Sequence, residues 1–344
     1  MNFYKKYIIS NESSIKGALN KLNENAENAI LFVVDNKDRL IGSLTDGDVR
    51  RGLIKGHSVN DSITSFIHKN PKSLKKNNIN IKEIIELREN NFKIIPIVDS
   101  KNKVINIVNF KDTLSYLPLD AVIMAGGKGE RLLPLTKNTP KSLLKVGKKP
   151  IINHTIERLK LYGIDDLWIS LNYLGDKIED FINNTYLNKL NISYVRENIP
   201  LGTIGAVSKI KDFKHDYVLV TNSDLLSNID YEQFFIEFLN KKADIAVLTI
   251  PYQVPIPYAV LKTNKDEIIS FEEKPTYTYH SNGGVYIIKR KILDLIPKNT
   301  FFNSTNLIEK ALKNKYRVIT YPFLGYWLDI GRHTDFEKAN HDIN

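Results

Sequence analysis

The stretch "AVIMAGGKGERLLPLTKNTPKSLL", residues 121–144, sets Gly126, Gly127 and Gly129 directly behind an apolar run and follows them with Arg131 and Lys141. Without a Cβ, the glycines let backbone N–H groups from Ala125 onward close around phosphate oxygens. A guanidinium fork and an ammonium then supply charge for more than one phosphate. Two common phosphate loops are excluded. A Walker A loop needs Ser or Thr after Gly-Lys, and a dinucleotide fingerprint needs a third glycine where Leu132 stands. A turn carrying solvated charges uses the same residue types, so the loop gains meaning from what positions it.

The strand-like runs "AVIMA", "LWISL", "YVLVTNSD" and "IAVLTI" alternate with helix-like "PIINHTIERLKLYG" and "YEQFFIEFLNKK". This alternation predicts a mostly parallel sheet covered on both faces, with ligands beyond the carboxyl ends of its strands. The glycine loop lies at the first such end. The chain before it reads differently. Residues 30–49, "ILFVVDNKDRLIGSLTDGDV", and 94–113, "IIPIVDSKNKVINIVNFKDT", align at a fixed offset, Asp35 over Asp99, Lys37 over Lys101 and Asp48 over Asp112. Each is a β-branched strand, a turn of Asp, Asn, Ser and Lys, and a second strand, preceded by a helix-like segment. Pro118, in "SYLPLD", interrupts regular structure between the two halves.

The repeat resembles a pair of cystathionine β-synthase (CBS) domains, over roughly 1–62 and 63–118. Thr45 and Asp48 match the family's T-x-x-D pattern, which implies an adenine nucleotide as ligand. In the second copy Asn109 replaces the threonine and Asp112 remains. Both aspartates also suit the start of a helix after the hairpin, as N-caps do.

From residue 119 on, Gly126, Gly127, Gly129, Arg131, Leu132, Pro134, Leu135, Thr136, Pro140 and Lys141 closely resemble the signature of sugar-1-phosphate nucleotidyltransferases. The resemblance implies an α/β fold with a Rossmann-like, glycosyltransferase-A-like sheet, behind a small α+β CBS-pair module. It also implies the reaction: a sugar phosphate oxygen attacks the α-phosphorus of a nucleoside triphosphate and pyrophosphate leaves. Arg131 would meet the β and γ phosphates and Lys141 the α-phosphate. Gly202 and Thr203, in "PLGTIGAV", stand in the family's base-and-ribose loop ahead of an expected helix. Asn222 would join the nucleotide site. Asp224 and Asp329, in "VLVTNSDLL" and "GYWLDIGRHTDF", would hold Mg²⁺, although a strand-end Asp also serves as a helix cap. Glu273 and Lys274 of "EKP", Asn282 and Gly284 of "SNGGVYII", and Tyr258 of "PYAVLKT" would hold the sugar phosphate. Ala259 stands where the family has glycine, which leaves the sugar open.

The domain order is similar to that of the guanylyltransferases that make GDP-sugars for bacterial surface glycans, from glucosamine-1-phosphate or mannose-1-phosphate. GTP is therefore the expected nucleotide. Thymidylyl, uridylyl or cytidylyl transfer is the alternative within the class, and a non-catalytic sugar-nucleotide-binding subunit the alternative outside it. No β-helix follows "FEKANHDIN", so no second, acyltransferase activity is expected.

Composition narrows the partners. The net charge is +10, but residues 1–118 hold 19 Lys and Arg against 13 Asp and Glu, and the remainder 30 against 26. The excess is spread out, and no alternation of aromatic and basic residues marks a nucleic-acid groove. The chain has no cysteine, which excludes disulfides and thiolate metal sites. With no apolar run of membrane-spanning or signal-peptide length, a cytoplasmic protein is expected. A homo-oligomer, dimer or higher, is expected as well.

Overall fold

The computed structural model describes residues 3–186 and 190–343. It divides into two compact units: Met1–Pro118 with Lys160–Ile164 and Tyr186–Asn191, and Leu119–Leu159 with Asp165–Thr185 and Ile192–Asn344.

In the first unit the two repeats form antiparallel hairpins, Ile30–Val34 with Leu40–Thr45 and Ile94–Val98 with Val104–Asn109. The turns are built alike. Asp35 Oδ1 accepts the N–H groups of Lys37 and Arg39, both at 2.9 Å, and Asp99 Oδ1 accepts those of Lys101 and Lys103 at 2.8 and 2.9 Å. An Asp that satisfies its own turn in this way explains why the same residue recurs in each copy. The period-2 alternation of the first strand splits its side chains: Leu31 and Val33 pack with Ile15, Ala18 and Leu22 of helix Ile15–Glu24, while Phe32 and Val34 pack with Ile94, Val98 and Val104 of the second hairpin. Gly52 of helix Asp46–Ile54 must be small, because a Cβ there would stand 2.1 Å from the Phe66 ring.

Thr45 and Asp48 form a capping box at the start of that helix, and Asp48 Oδ1 takes the Arg51 guanidinium at 2.6 Å. The N-cap is therefore Thr45, and Asp48, expected as a cap itself, stands at N3 within the first turn. The second copy departs from the expectation. No helix follows its hairpin; Asp112 lies in a turn, where its N–H donates to the Asn109 carbonyl at 3.0 Å and its carboxylate accepts from Asn109 Nδ2 at 2.6 Å. Asn109 closes this turn locally, and Pro118 beyond it has no N–H to continue a ladder.

The second unit is a mixed α/β domain around a seven-stranded sheet. Its order is Asn191–Arg196, Asp166–Leu171, Asp120–Met124, Tyr217–Asn222, Thr276–Lys289, Ile245–Pro255, Val318–Pro322. Asp120–Met124 runs parallel to Asp166–Leu171 and Tyr217–Asn222, with Met124 opposite both Ser170 and Asn222. Thr276–Lys289 runs antiparallel to both neighbours. Three parallel strands therefore end side by side, and the residues just past them, Gly126, Asn172 and Asp224, share one rim. At the opposite end the fully buried Asp120 accepts the N–H groups of Lys214 and His215 at 3.2 and 2.8 Å. Burial raises its pKa, and these two bonds only partly oppose the shift.

Beyond Thr249 the paired strands Ile245–Pro255 and Thr276–Lys289 run out of the core. With the ribbon Val260–Asn264 and Glu267–Glu272 they form a largely exposed region. A separate two-stranded sheet pairs Leu225–Ser227 with Trp327–Asp329, Leu225 opposite Asp329.

Candidate active site

That small sheet decides the site. Asp224 ends the turn after Tyr217–Asn222, and the pairing of Leu225 with Asp329 sets the second carboxylate beside it; the Ile330 N–H donates to the Asp224 carbonyl at 3.1 Å. Lys141 enters from a 3₁₀ turn, Lys141–Leu143, that follows Pro140. Its Nζ donates to Asp224 Oδ2 and lies 3.9 Å from Asp329 Oδ1, outside hydrogen-bond range. Asp224 Oδ1 and Asp329 Oδ1 are buried and have no hydrogen-bond partner. Burial raises the pKa of Asp329, the neighbouring Asp224 raises it further, and Lys141 and Arg131 pull the other way. Two inward carboxylates that share one ammonium and leave two oxygens unsatisfied are a fitting donor set for Mg²⁺, which takes few protein ligands and fills its shell with water and phosphate oxygens. No group of three or more His, Cys, Asp or Glu gathers as metal ligands among the described residues.

A cavity of about 430 Å³ opens beside this cluster, lined by Gly126, Gly127, Gly202, Thr203, Asn222 and Asp224 of the expected residues. Gly129 adopts φ 66°, and a Cβ there would meet Thr136 at 3.0 Å and Lys141 Cβ at 3.1 Å, so glycine lets the loop fold back over the lysine. Gly202 adopts φ 78°, and a Cβ would stand 2.7 Å from the Phe302 carbonyl oxygen. Gly202→Ala is therefore expected to lower stability by about 1–3 kcal/mol and to weaken nucleotide binding, as read by urea melts and nucleotide titration. Thr203 serves its own loop: its Oγ1 accepts the Ser304 N–H at 2.9 Å and its N–H donates to Asn303 Oδ1 at 3.1 Å. The segment after it is a 3₁₀ turn, Gly205–Lys209, and not the α-helix the sequence pattern predicted.

The remaining expected residues fall elsewhere. Ala125 is buried and has only its backbone to offer, its N–H already donating to the Ser170 carbonyl at 3.1 Å. Arg131 is exposed, outside the cavity lining, with its guanidinium 3.4 Å from where a Cβ on Gly331 would stand. Asn282 and Gly284 lie within strand Thr276–Lys289, not in a turn before it. Asn282 Nδ2 donates to the Tyr286 hydroxyl at 2.7 Å, which donates to Ser304 Oγ at 2.8 Å. Gly284, at φ 71°, brings its backbone against Asn222. Tyr258, Glu273 and Lys274 are exposed and outside the cavity; Tyr258 is 75% exposed. The structure thus gathers Gly126, Gly127, Gly202, Thr203 and Asn222 with the Lys141, Asp224 and Asp329 cluster, and leaves Arg131, Tyr258, Glu273 and Lys274 outside the cavity.

Several lining residues escaped the sequence reading. Lys128 faces the cavity, as do Asn172, Glu197, Phe301 and Asn303. For Asn172 and Glu197 the available signal was position: each is the first residue past a strand on the rim that already held Gly126 and Asp224. Phe301 and Asn303 had none, since they arrive through backbone bonds from Ile204 and Gly205 to the Phe302 carbonyl, at 3.2 and 3.1 Å.

Residues 120–344 match the nucleotidyl transferase family and residues 5–55 the CBS domain family. The chain is 33% identical over 229 residues to "Bifunctional protein GlmU" of Methanocaldococcus jannaschii, covering 64% of this chain and 53% of that protein. It is 30% identical over 234 residues to D-glycero-alpha-D-manno-heptose 1-phosphate guanylyltransferase of Aneurinibacillus thermoaerophilus, 65% of this chain and 98% of that protein. The chain thus spans about half the length of the first relative and nearly all of the second. Among solved structures, HddC from Yersinia pseudotuberculosis superposes with a TM-score of 0.53 at 27% identity, over 66% of this chain and all of that one. The chain belongs to the nucleotidyl transferase family and carries a CBS domain ahead of the family's fold.

Proposed function

We propose that the chain transfers a guanylyl group from GTP to the phosphate of a hexose-1-phosphate of the glucosamine or mannose type. Pyrophosphate is released and a GDP-sugar formed for bacterial surface glycans. The observation that carries this reading is the glycine-lined cavity that reaches Asp224, whose carboxylate takes the Lys141 ammonium beside Asp329. The guanylyltransferases among the relatives support the choice of base. Gly126, Gly127 and Lys128 receive the phosphates, and Lys141 turns its ammonium to the α-phosphate, where charge develops during in-line attack. Arg131 takes the leaving phosphates, and Lys274 and Glu273 are assigned to the sugar phosphate and its hydroxyls. Mg²⁺ held by Asp224 and Asp329 would supply further charge neutralisation. Pyrophosphate release across a grid of nucleoside triphosphates and sugar 1-phosphates tests the reading; if no pair reacts, it fails.

The reading includes an adenine nucleotide on the N-terminal unit, supported by the CBS match and by Thr45 and Asp48, and a homo-oligomer, supported by the exposed Leu261, Ile268 and Phe271 of the ribbon. Calorimetry with the full chain is expected to show heat on addition of AMP, and Asp48→Ala to remove it. No heat with AMP counts against that ligand.

A further inference from the structure

The small sheet that sets Asp329 beside Asp224 is three residues long on each strand, and its strands come from distant parts of the chain. A ladder this short is marginal by itself, and a slip of one residue would turn Asp329 to the opposite face. At the catalytic end the Ile330 N–H donates to the Asp224 carbonyl at 3.1 Å, and at the far end the Asn228 N–H donates to the Tyr326 carbonyl at 3.1 Å. In a regular antiparallel pair the Asn228 carbonyl would complete that far rung by accepting the Tyr326 N–H. Here that carbonyl accepts the Arg158 guanidinium at 2.6 Å, and the Asn228 side chain takes its place, Oδ1 accepting the Tyr326 N–H at 2.8 Å. Gly325 leaves room for the exchange, since a Cβ there would stand 2.5 Å from Oδ1. Arg158 also binds the next carbonyl, with Nε and Nη2 donating to Ile229 O at 2.9 and 2.7 Å.

We propose that Arg158, acting through Asn228, is a positioning residue for the carboxylate pair: it locks the register that holds Asp224 and Asp329 at one spacing under Lys141. The inference rests on the reading of those two aspartates as the metal pair. Arg158 lies on helix Ile151–Leu161, and that helix begins at the lysine's own turn. The Ile151 N–H donates to the Leu144 carbonyl at 3.0 Å, and the Leu144 N–H to the Lys141 carbonyl at 3.1 Å. One rigid element thus joins the turn that carries the ammonium to the corner that ends the carboxylate ladder. A planar guanidinium fixes two consecutive carbonyls in direction as well as place, which a single ammonium cannot do. The spacing matters because Mg²⁺ tolerates little departure from octahedral geometry. Groups behind the ligands that orient them therefore tune metal affinity without touching the metal. Neither Arg158 nor Asn228 lines the cavity, so neither is placed to meet the nucleotide.

The test compares the full chain with Arg158→Met, Arg158→Lys and Asn228→Ala. Mn²⁺ titration, with and without GDP, reads metal affinity, and pyrophosphate release is followed at rising Mg²⁺. Arg158→Met is expected to weaken Mn²⁺ binding by about 10-fold and to lower kcat at low Mg²⁺, with a deficit that shrinks as Mg²⁺ is raised and an unchanged KM for the sugar 1-phosphate. Asn228→Ala should act in the same direction to a smaller degree, and Arg158→Lys should recover part of the loss. A melting curve in chelator reads the fold separately. If Arg158 only supports the fold, the variants melt lower while Mn²⁺ affinity and Mg²⁺ dependence match the wild type, and that result overturns the proposal. So does an Arg158→Met rate lowered by the same factor at every Mg²⁺ concentration. Should Arg158→Met not fold, Asn228→Ala decides, and an Mn²⁺ affinity equal to wild type in that variant overturns the proposal too. A wild type that binds no Mn²⁺ in either condition defeats the metal reading and the proposal with it; one that binds Mn²⁺ no better than its variants defeats the positioning role alone.

Discussion

Replacing Lys141 by alanine is expected to lower kcat for pyrophosphate release by about 10²- to 10³-fold, the usual cost of removing a preorganised charge from a transition state. Its ammonium is largely buried, with a side chain 12% exposed, so bulk solvent cannot replace it. The same substitution leaves Asp224 and Asp329 facing one another without a cation. Lys141→Ala should therefore also melt at a lower temperature than the wild type in chelator, and Mg²⁺ should restore more of the loss in the variant than in the wild type. Equal melting temperatures in chelator would mean that the Lys141–Asp224 contact is not made in solution. A rate within threefold of wild type would remove Lys141 from the chemistry.

The second large effect separates activity from stability. Asp329→Asn is expected to cost about 10²- to 10³-fold in activity, since the variant loses half of the carboxylate pair. In metal-free buffer, however, it should be at least as stable as the wild type. Burial and the adjacent Asp224 both oppose charge on Asp329, so a neutral amide of the same shape relieves strain that only a bound cation justifies. Thermal melts in chelator read the stability, and Mn²⁺ titration with GDP present reads metal affinity apart from turnover. A variant markedly less stable than the wild type, with metal affinity unchanged, would make Asp329 a structural residue.

The same two aspartates mark how far the amino-acid order could be read. The alternation of apolar runs and helical patterns was enough for a mostly parallel sheet, because strand and helix periods are local and need only neighbours in the chain. The repeated Asp35 and Asp99 turns were visible for the same reason, each Asp bonding residues two and four places ahead. Of the loop glycines, Gly129 answers to its own backbone, at φ 66°, whereas Gly126 answers to remote packing, since a Cβ there would stand 2.9 Å from Glu197 Oε1. The expected helices after Gly205 and after Asp112 were misread. In the first case the backbone carbonyl of Phe302, from far along the chain, ties down residues 204 and 205, and no local pattern reports that.

What the sequence determined by itself was thus chemistry by type: a phosphate loop, two cations behind it, carboxylates at strand ends, and a repeated hairpin unit. Which of these groups meet was decided by tertiary structure. Antiparallel pairing of Leu225 with Asp329 puts two carboxylates under one lysine, and the sheet order lays Asn172, Gly126 and Asp224 along a single rim. Glu197 shows the difference most plainly. As a residue in "YVREN" it is one acidic side chain among many. Held by Ser170 and Leu201 at the wall of the cavity, it is a fixed pair of acceptors, because register and strand order, which depend on contacts across the whole domain, fix where a side chain points.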